Sequence, residues 1–411
     1  MPDVSVLDVR LHERVVGTLT RVAGDRSLFA FTEDHIADPQ RPTLGLHFKD
    51  AFGELRTDFR PVQTKVMPFF SNLLPEGHLR HYLAERAGVH PEREFFLLWA
   101  LGRDLPGAIT IVPADGEAWP PDALAPRDEK KRPAREDLLR FSLAGVQLKF
   151  SAVAGARGGL TVPASGVGGD WIVKLPSREH AGVPENEFSM MQLASRLGLD
   201  VPRIDLVDVG SVAGLPDGIE HVGGKAFVIE RFDRLSDGSR VHIEDFAQVF
   251  GVYPDAKYKK ASLASILRVI AAEGTDADVR EFIRRLTFNT LIGNGDMHLK
   301  NWSLIYRDRR RPALAPAYDF VSTVAYIPGD SFALNYSRTK AFSGLNADEL
   351  SHLAARTALP ARIVIDTARE LAADFLTLWE NEKHHLPMLG EVRKAIDALL
   401  PRVPIAGRHG V

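Results

Sequence analysis

Apolar and polar positions change rhythm along the chain, and those changes divide it. Residues 4–9 alternate as a half-buried strand does, while residues 72–87 and 92–101 carry helical spacing, which predicts a small α+β unit. Residues 113–135 are rich in Pro, Ala, Asp and Lys, with few large apolar side chains after Trp119, and read as a linker. Strand-like runs return over residues 141–232. Within them, residues 171–176 form a short apolar strand interrupted by Lys174, and residues 226–234 an apolar strand that breaks into charge. Between the two, Glu187 is expected to open an amphipathic helix on Phe188, Met191, Leu193, Ala194 and Leu197, closed by Gly198 and followed by Pro202. Helical patterns dominate from about Ile243. The expected division is 1–112 accessory unit, 113–138 linker, 139–240 strand-rich lobe and 241–411 helical lobe, an α+β chain with two lobes and an N-terminal subdomain.

The helical lobe carries the most informative segment, Gly293-Asn294-Gly295-Asp296-Met297-His298-Leu299-Lys300-Asn301, followed by Ala317-Tyr318-Asp319. Residues 281–292 are apolar enough for a buried helix that delivers this polar loop from the core. Residues 302–306 then read as a strand, 307–311 as a charged turn and 314–318 as the returning strand, a hairpin that brings Asp319 back beside Asn301. An aspartate and an asparagine on one tight loop, with a second aspartate beyond a hairpin, is how kinases arrange a base and two magnesium ligands. Asp296 would serve the attacking hydroxyl, Asn301 and Asp319 would hold the metal, and Lys300 would add positive charge at the γ-phosphate. Asp, Asn, Gly and His also crowd into ordinary turns, so the case rests on the apolar helix and the hairpin around them rather than on any one residue.

A lysine in an apolar strand is costly unless it is paired. Lys174 is therefore the candidate phosphate lysine, with Glu187, thirteen residues on, as its partner. The strand that ends in Glu230, Arg231 and Phe232 takes the place of a hinge whose backbone would meet adenine. A Walker-type loop and a three-glycine fingerprint are both missing. The phosphate loop falls instead to Ser142-Leu143-Ala144-Gly145-Val146-Gln147-Leu148-Lys149, where Gly145 permits close backbone approach.

Taken in order, these motifs resemble the HipA family of toxin kinases from bacterial toxin–antitoxin systems. The likeness is carried by residues 142–149, 172–176, 185–187, 230–234, 294–301 and 316–319, and by residues 69–77 and 105–109 in the N-terminal part. It implies a serine/threonine protein kinase using ATP and Mg2+, with Asp296 as base. Nucleotide contacts are implied at Ala144, Gly145, Val146, Gln147, Leu148, Lys149, Lys174, Glu230, Arg231, Phe232, His298, Leu299, Lys300, Asn301, Tyr318 and Asp319. It further implies autophosphorylation at Ser142, an aminoacyl-tRNA synthetase substrate (typically the glutamate enzyme), and a helix-turn-helix antitoxin of the HipB type that carries the toxin to operator DNA. The chain departs from the pattern at Leu148, where the family often has Glu or Pro. Asp319 is followed by Phe320 and Val321 without a glycine, unlike ordinary protein kinases. An inactive antitoxin-binding co-repressor and a small-molecule kinase are the alternatives.

Composition narrows the setting. A formal charge of -3 gives no general field for nucleic acid, so DNA binding would fall to a partner. Arg307, Arg309, Arg310 and Arg311 form the densest basic patch, which a solvated hairpin tip explains, and Lys257, Lys259 and Lys260 flank Tyr258 in a second. Zero cysteines exclude disulfides, and the absence of an apolar run of membrane-spanning length points to a cytoplasmic protein without membrane contact.

Overall fold

A computed structural model describes residues 5–114, 149–154, 159–162, 169–177, 179–215 and 222–407. The loop expected over residues 142–148, including Ser142, lies outside them, as do nearly all of the expected linker and part of the glycine-rich stretch 155–169.

Strand β1 (Ser5–Leu11) alternates buried and half-buried residues, as a strand with one covered face must. It pairs antiparallel with β2 (Arg14–Val22) and β5 (Ile109–Pro113). Together with β3 (Arg26–Phe31) and β4 (Val62–Gln63) they form a sheet in the order β4-β3-β2-β1-β5. Its covered face packs on the helix Glu94–Leu101 and on Phe48, Phe69 and Phe70.

A second sheet comprises β6 (Lys149–Ala154), β7 (Leu160–Thr161), β8 (Trp171–Lys174), β9 (Ile204–Asp208), β10 (Val212–Ala213) and β11 (Lys225–Glu230), ordered β10-β7-β6-β8-β11-β9. Alternation along β11 decides what each face touches. Ala226 and Val228 enter the sheet's own apolar cluster, whereas Phe227 and Ile229 join the large helical core with the helix Val183–Arg196. That core is built on the helices Leu263–Glu273, Asp276–Leu291 and Ala361–Glu382. A small third sheet, formed by β12 (His242–Asp245), β13 (Ser303–Tyr306) and β14 (Ala313–Leu314), lies against it.

Several elements differ from the sequence expectation, each for a local reason. The helix expected at residue 72 begins at Gly77, because Pro75 disfavours helical backbone at Leu74. The helix that Glu187 was to open begins at Val183 with Pro184 in its first turn, which puts Glu187 on a buried inner turn. The helix expected from residue 281 begins at Asp276, where Thr275 and Asp278 form a capping box. The returning strand of the hairpin is only Ala313–Leu314, and residues 315–318 run on outside the ladder. The basic hairpin tip is docked rather than simply solvated: Thr43 donates its amide to the Arg309 carbonyl at 2.9 Å and its hydroxyl to the Arg310 carbonyl at 2.8 Å. Among the described residues no helix is long and apolar enough to cross a membrane.

Candidate active site

A cleft of about 1900 Å³ is lined by the ends of β8 and β11, by the loop 294–301, by Tyr318 and Asp319, and by residues 72–76 of the N-terminal unit. At its centre the Lys174 ammonium sits between two carboxylates. It donates to Glu187 Oε1 at 2.5 Å and contacts Asp319 Oδ1 on the other side. Burial works against the Lys174 charge, but Asp319 and Glu187 outweigh it and raise its pKa. Burial also opposes the Asp319 carboxylate, yet Lys174 and Lys149 hold it down at about 2. Glu187 is the group that burial wins over: it is pushed up to about 7 against the pull of Lys174. Its Oε2 is buried with no hydrogen-bond partner among the described residues.

The loop follows directly from the helix Asp276–Leu291. Gly293 turns the chain with φ +66, the left-handed conformation that ends helices. Asn294, fully buried, then ties three parts of the site together. Its Nδ2 donates to Asn289 Oδ1 at 2.8 Å and to the Asp319 carbonyl at 3.1 Å, while its Oδ1 accepts the Asp296 amide at 3.1 Å. Asp319 itself has φ +58, rare for a residue other than glycine, and Asn294 helps hold it there. The Asp296 carbonyl accepts the His298 amide at 2.8 Å and Asn301 Nδ2 at 2.8 Å. With its nitrogen so engaged, Asn301 keeps its amide oxygen for a further partner.

Asp296 Oδ1 accepts the Tyr258 hydroxyl at 2.7 Å. Burial lifts the Asp296 pKa and Asp319 adds to the rise, with the Tyr258 hydrogen bond offsetting part of it. His298 is held neutral: burial and then Lys257 lower its pKa to about 3, and its Nδ1 accepts the Lys300 amide at 3.2 Å, which leaves the proton on Nε2. Tyr318 donates to the Lys300 carbonyl at 2.9 Å, and its ring stacks 5.9 Å from that of Phe232. The Lys300 ammonium reaches out of the loop to Glu76 Oε1 at 2.7 Å and to the Asn72 carbonyl at 3.1 Å.

Of the residues singled out in the sequence, Lys149, Lys174, Glu187, Glu230, Arg231, Phe232, Asp296, His298, Lys300, Asn301, Tyr318 and Asp319 all line this one cleft. Leu299 does not. Its side chain is fully buried in the helical core beside that of Met297, as the apolar members of a polar loop must be if the loop is to be anchored. The Arg231 guanidinium is turned to Asp233, at 2.9 and 3.0 Å. The amides of Glu230 and Arg231 are already given to the carbonyls of Arg203 and Asp170. Ser142, Ala144, Gly145, Val146, Gln147 and Leu148 lie outside the described residues. Sequence reading missed Glu76, the hydroxyl of Tyr258 and the bridging part of Asn294. Asn294 and Glu76 each lie inside a segment that carries the family likeness, which gives no role to either, and Tyr258 carried no local signal.

The chain matches the family model for the HipA N-terminal domain over residues 7–112 and that for the HipA-like C-terminal domain over residues 141–379. It is 58% identical over 409 residues to Y4dM, a candidate kinase of Sinorhizobium fredii, across 98% of both chains. It is 28% identical over 355 residues to the serine/threonine-protein kinase toxin HipA of Shewanella oneidensis, across 78% of this chain and 76% of that one. The HipA chain in the solved complex of Shewanella oneidensis HipA with HipB and its operator DNA superposes with a TM-score of 0.73 at 25% identity, covering 97% of this chain and 96% of that chain. The fold is thus α+β and kinase-like, with two lobes and an N-terminal unit, and the chain belongs to the HipA family.

Proposed function

We propose that the chain is an ATP- and magnesium-dependent serine/threonine protein kinase. The observation that carries this reading is the convergence of Asp296, Asn301 and Asp319 around the buried bridge of Asn294, with Lys174 ion-paired to Asp319. The donor set suits magnesium: Asn301 has its oxygen to offer, and Asp319 stays ionised with only Oδ1 engaged by Lys174. Bound MgATP supplies the phosphoryl group and the metal that neutralises its charge. Lys174 and Lys149 attract phosphate oxygens, and Lys300 adds a third cation. Phe232 would meet adenine at the end of β11, where the Glu230 and Arg231 amides are already engaged. Asp296 accepts the proton of an incoming serine hydroxyl, and the Tyr258 hydrogen bond orients the carboxylate and favours its ionised form.

By family likeness the substrate is an aminoacyl-tRNA synthetase, the glutamate enzyme first among them, with Ser142 as the site of self-inactivation. The partner is a HipB-type antitoxin, through which operator DNA is reached; the Shewanella oneidensis relative is solved in such a complex. The test is phosphopeptide mapping after incubation with magnesium and ATP, beside Asp296→Gln. Phosphoserine in the parent alone supports the reading. Phosphate in neither protein, with no ATP binding by calorimetry, overturns it in favour of a partner-binding module.

A further inference from the structure

Glu76 enters the cleft from the N-terminal unit, outside both lobes. Residues 66–76 of the N-terminal unit lie along the C-terminal lobe, held by Tyr253 Oη to the Val66 carbonyl at 3.1 Å, Gln248 Nε2 to the Phe69 carbonyl at 3.2 Å and Asn72 Nδ2 to the Val252 carbonyl at 2.7 Å. This strap ends in Pro75 and Glu76. Glu76 occupies the N-cap of the helix Gly77–Ala87, where Ser, Thr, Asp or Asn is the usual choice, and it makes no capping hydrogen bond. Its carboxylate is used elsewhere: Oε1 takes the Lys300 ammonium at 2.7 Å and Oε2 the Lys257 ammonium at 2.8 Å. Burial would raise its pKa, but Lys300 and Lys257 hold it at about 2, so the charge is present throughout the working range.

We infer that Glu76 is a positioning residue for phosphoryl transfer, supplied by the N-terminal unit to fix Lys300 of the catalytic loop. This inference rests on the kinase reading above. An ammonium has three donors, and Lys300 spends one on Glu76 and one on the Asn72 carbonyl, which leaves one for a phosphate oxygen in a set direction. The other oxygen of Glu76 pins Lys257, the neighbour of the tyrosine that holds Asp296. A long lysine side chain reaching into an open cleft would otherwise have to be ordered at each turnover. The N-terminal unit is therefore part of the catalytic apparatus and not only a docking platform.

The experiment is steady-state phosphorylation by the full chain in Glu76→Gln, Lys300→Ala and the double variant. Glu76→Gln is expected to lower kcat by about tenfold or more while KM for ATP moves less than about threefold. In the Lys300→Ala background the same change should add less than about twofold, because the pair with Lys300 is already gone and only the pair with Lys257 is left to lose. Glu76→Asp, which keeps the charge on a shorter arm, should fall between. Asp255→Asn, which breaks the exposed Lys65–Asp255 pair on the same boundary, should keep the parent's kcat. Equal losses in both backgrounds, or an unchanged kcat in Glu76→Gln, would overturn the inference. A readout independent of turnover is the side-chain ammonium signal of Lys300 in 1H–15N spectra, assigned by its loss in Lys300→Ala. It should persist in the parent and vanish in Glu76→Gln, and persistence in both also overturns the inference. A parent that transfers no phosphate sinks the kinase reading, and the ammonium signal alone then decides whether Glu76 holds Lys300.

Discussion

The hydroxyl of Tyr258 donates to Asp296 Oδ1 at 2.7 Å, and the Tyr258 ring meets His298 edge-on at 5.0 Å. A residue from a basic surface segment thus supports the carboxylate at the centre of the site. The hydrogen bond favours the ionised form of Asp296, whose pKa burial otherwise raises. The base works only when ionised, so activity falls as pH drops through that pKa. Tyr258→Phe removes the one neighbour that lowers it by hydrogen bonding. Its pH–rate profile should show the acid limb moved to higher pH, with activity at neutral pH down roughly tenfold. The unfolding free energy should change by no more than about 1 kcal/mol, since the ring stays. An acid limb that stays in place would sink the assignment.

Glu244 gives a pH dependence away from the chemistry. It is fully buried where the N-terminal unit meets the third sheet, accepting the Leu46 amide at 2.9 Å and the Tyr306 hydroxyl. Burial pushes its pKa up to about 8 from 4.5. A carboxyl raised in this way contributes stability that is complete below about pH 4.5 and lost as pH rises through about 8. Glu244→Gln keeps an acceptor for Tyr306 and cannot ionise. The difference in unfolding free energy between pH 5 and pH 9, read from urea titrations, should shrink in the variant by an amount on the order of 1–3 kcal/mol. An equal pH slope in both proteins would show that Glu244 is not titrating.

The sequence was most legible where chemistry and local order coincide. Asp296, Asn301, Asp319, Lys174 and Glu187 each stand next to an apolar element, so the element's type fixes their relation, and all reach the cleft. Leu299 falls within the implied run of contacts at residues 298–301, yet its side chain lies with Met297 in the helical core, because a polar loop needs apolar anchors. Helix starts slipped at Gly77 and Val183 because Pro75 and Pro184 decide them, in one case by exclusion and in the other by admission to the first turn. Glu76 and Lys300 are 224 positions apart by number, and no periodicity in either segment relates them. Contacts of that kind follow from the docking of one unit on another, which apolar patterning constrains only as a whole.

Asn294 holds Asp296 and Asp319 by main-chain hydrogen bonds and contributes no charge of its own. Asn294→Ala strands Asn289 Oδ1 at a buried position, and the Asp296 amide and the Asp319 carbonyl at partly buried ones. Each unmade buried hydrogen bond costs about 1–3 kcal/mol, and partial repacking reduces the sum, so a loss of about 2–4 kcal/mol is expected by denaturant unfolding. Calorimetry should also show weakened magnesium-dependent ATP binding, because Asp319 loses a tie that holds its left-handed backbone. Destabilisation without any effect on nucleotide affinity would confine Asn294 to the fold.

Lys174 is the counter-charge of two carboxylates, and its removal tests whether the triad is a working site under electrostatic tension. In Lys174→Met, Glu187 and Asp319 face each other across the buried end of β8 with no cation between them. Breaking a buried pair by removing one partner costs about 3–5 kcal/mol, since the remaining charge stays desolvated. Both carboxyls then shift upward, and a raised carboxyl loses stability as pH rises, so the variant should be less impaired at pH 5 than at pH 8. Adding Glu187→Gln removes one of the two stranded charges and should recover about half of the loss at pH 8, while leaving ATP binding absent. Thermal unfolding at the two pH values checks both parts. If Lys174→Met were as stable as the parent at pH 8, the ammonium would not be what holds Glu187 and Asp319 together, and Lys174 would lose its claim as the phosphate lysine.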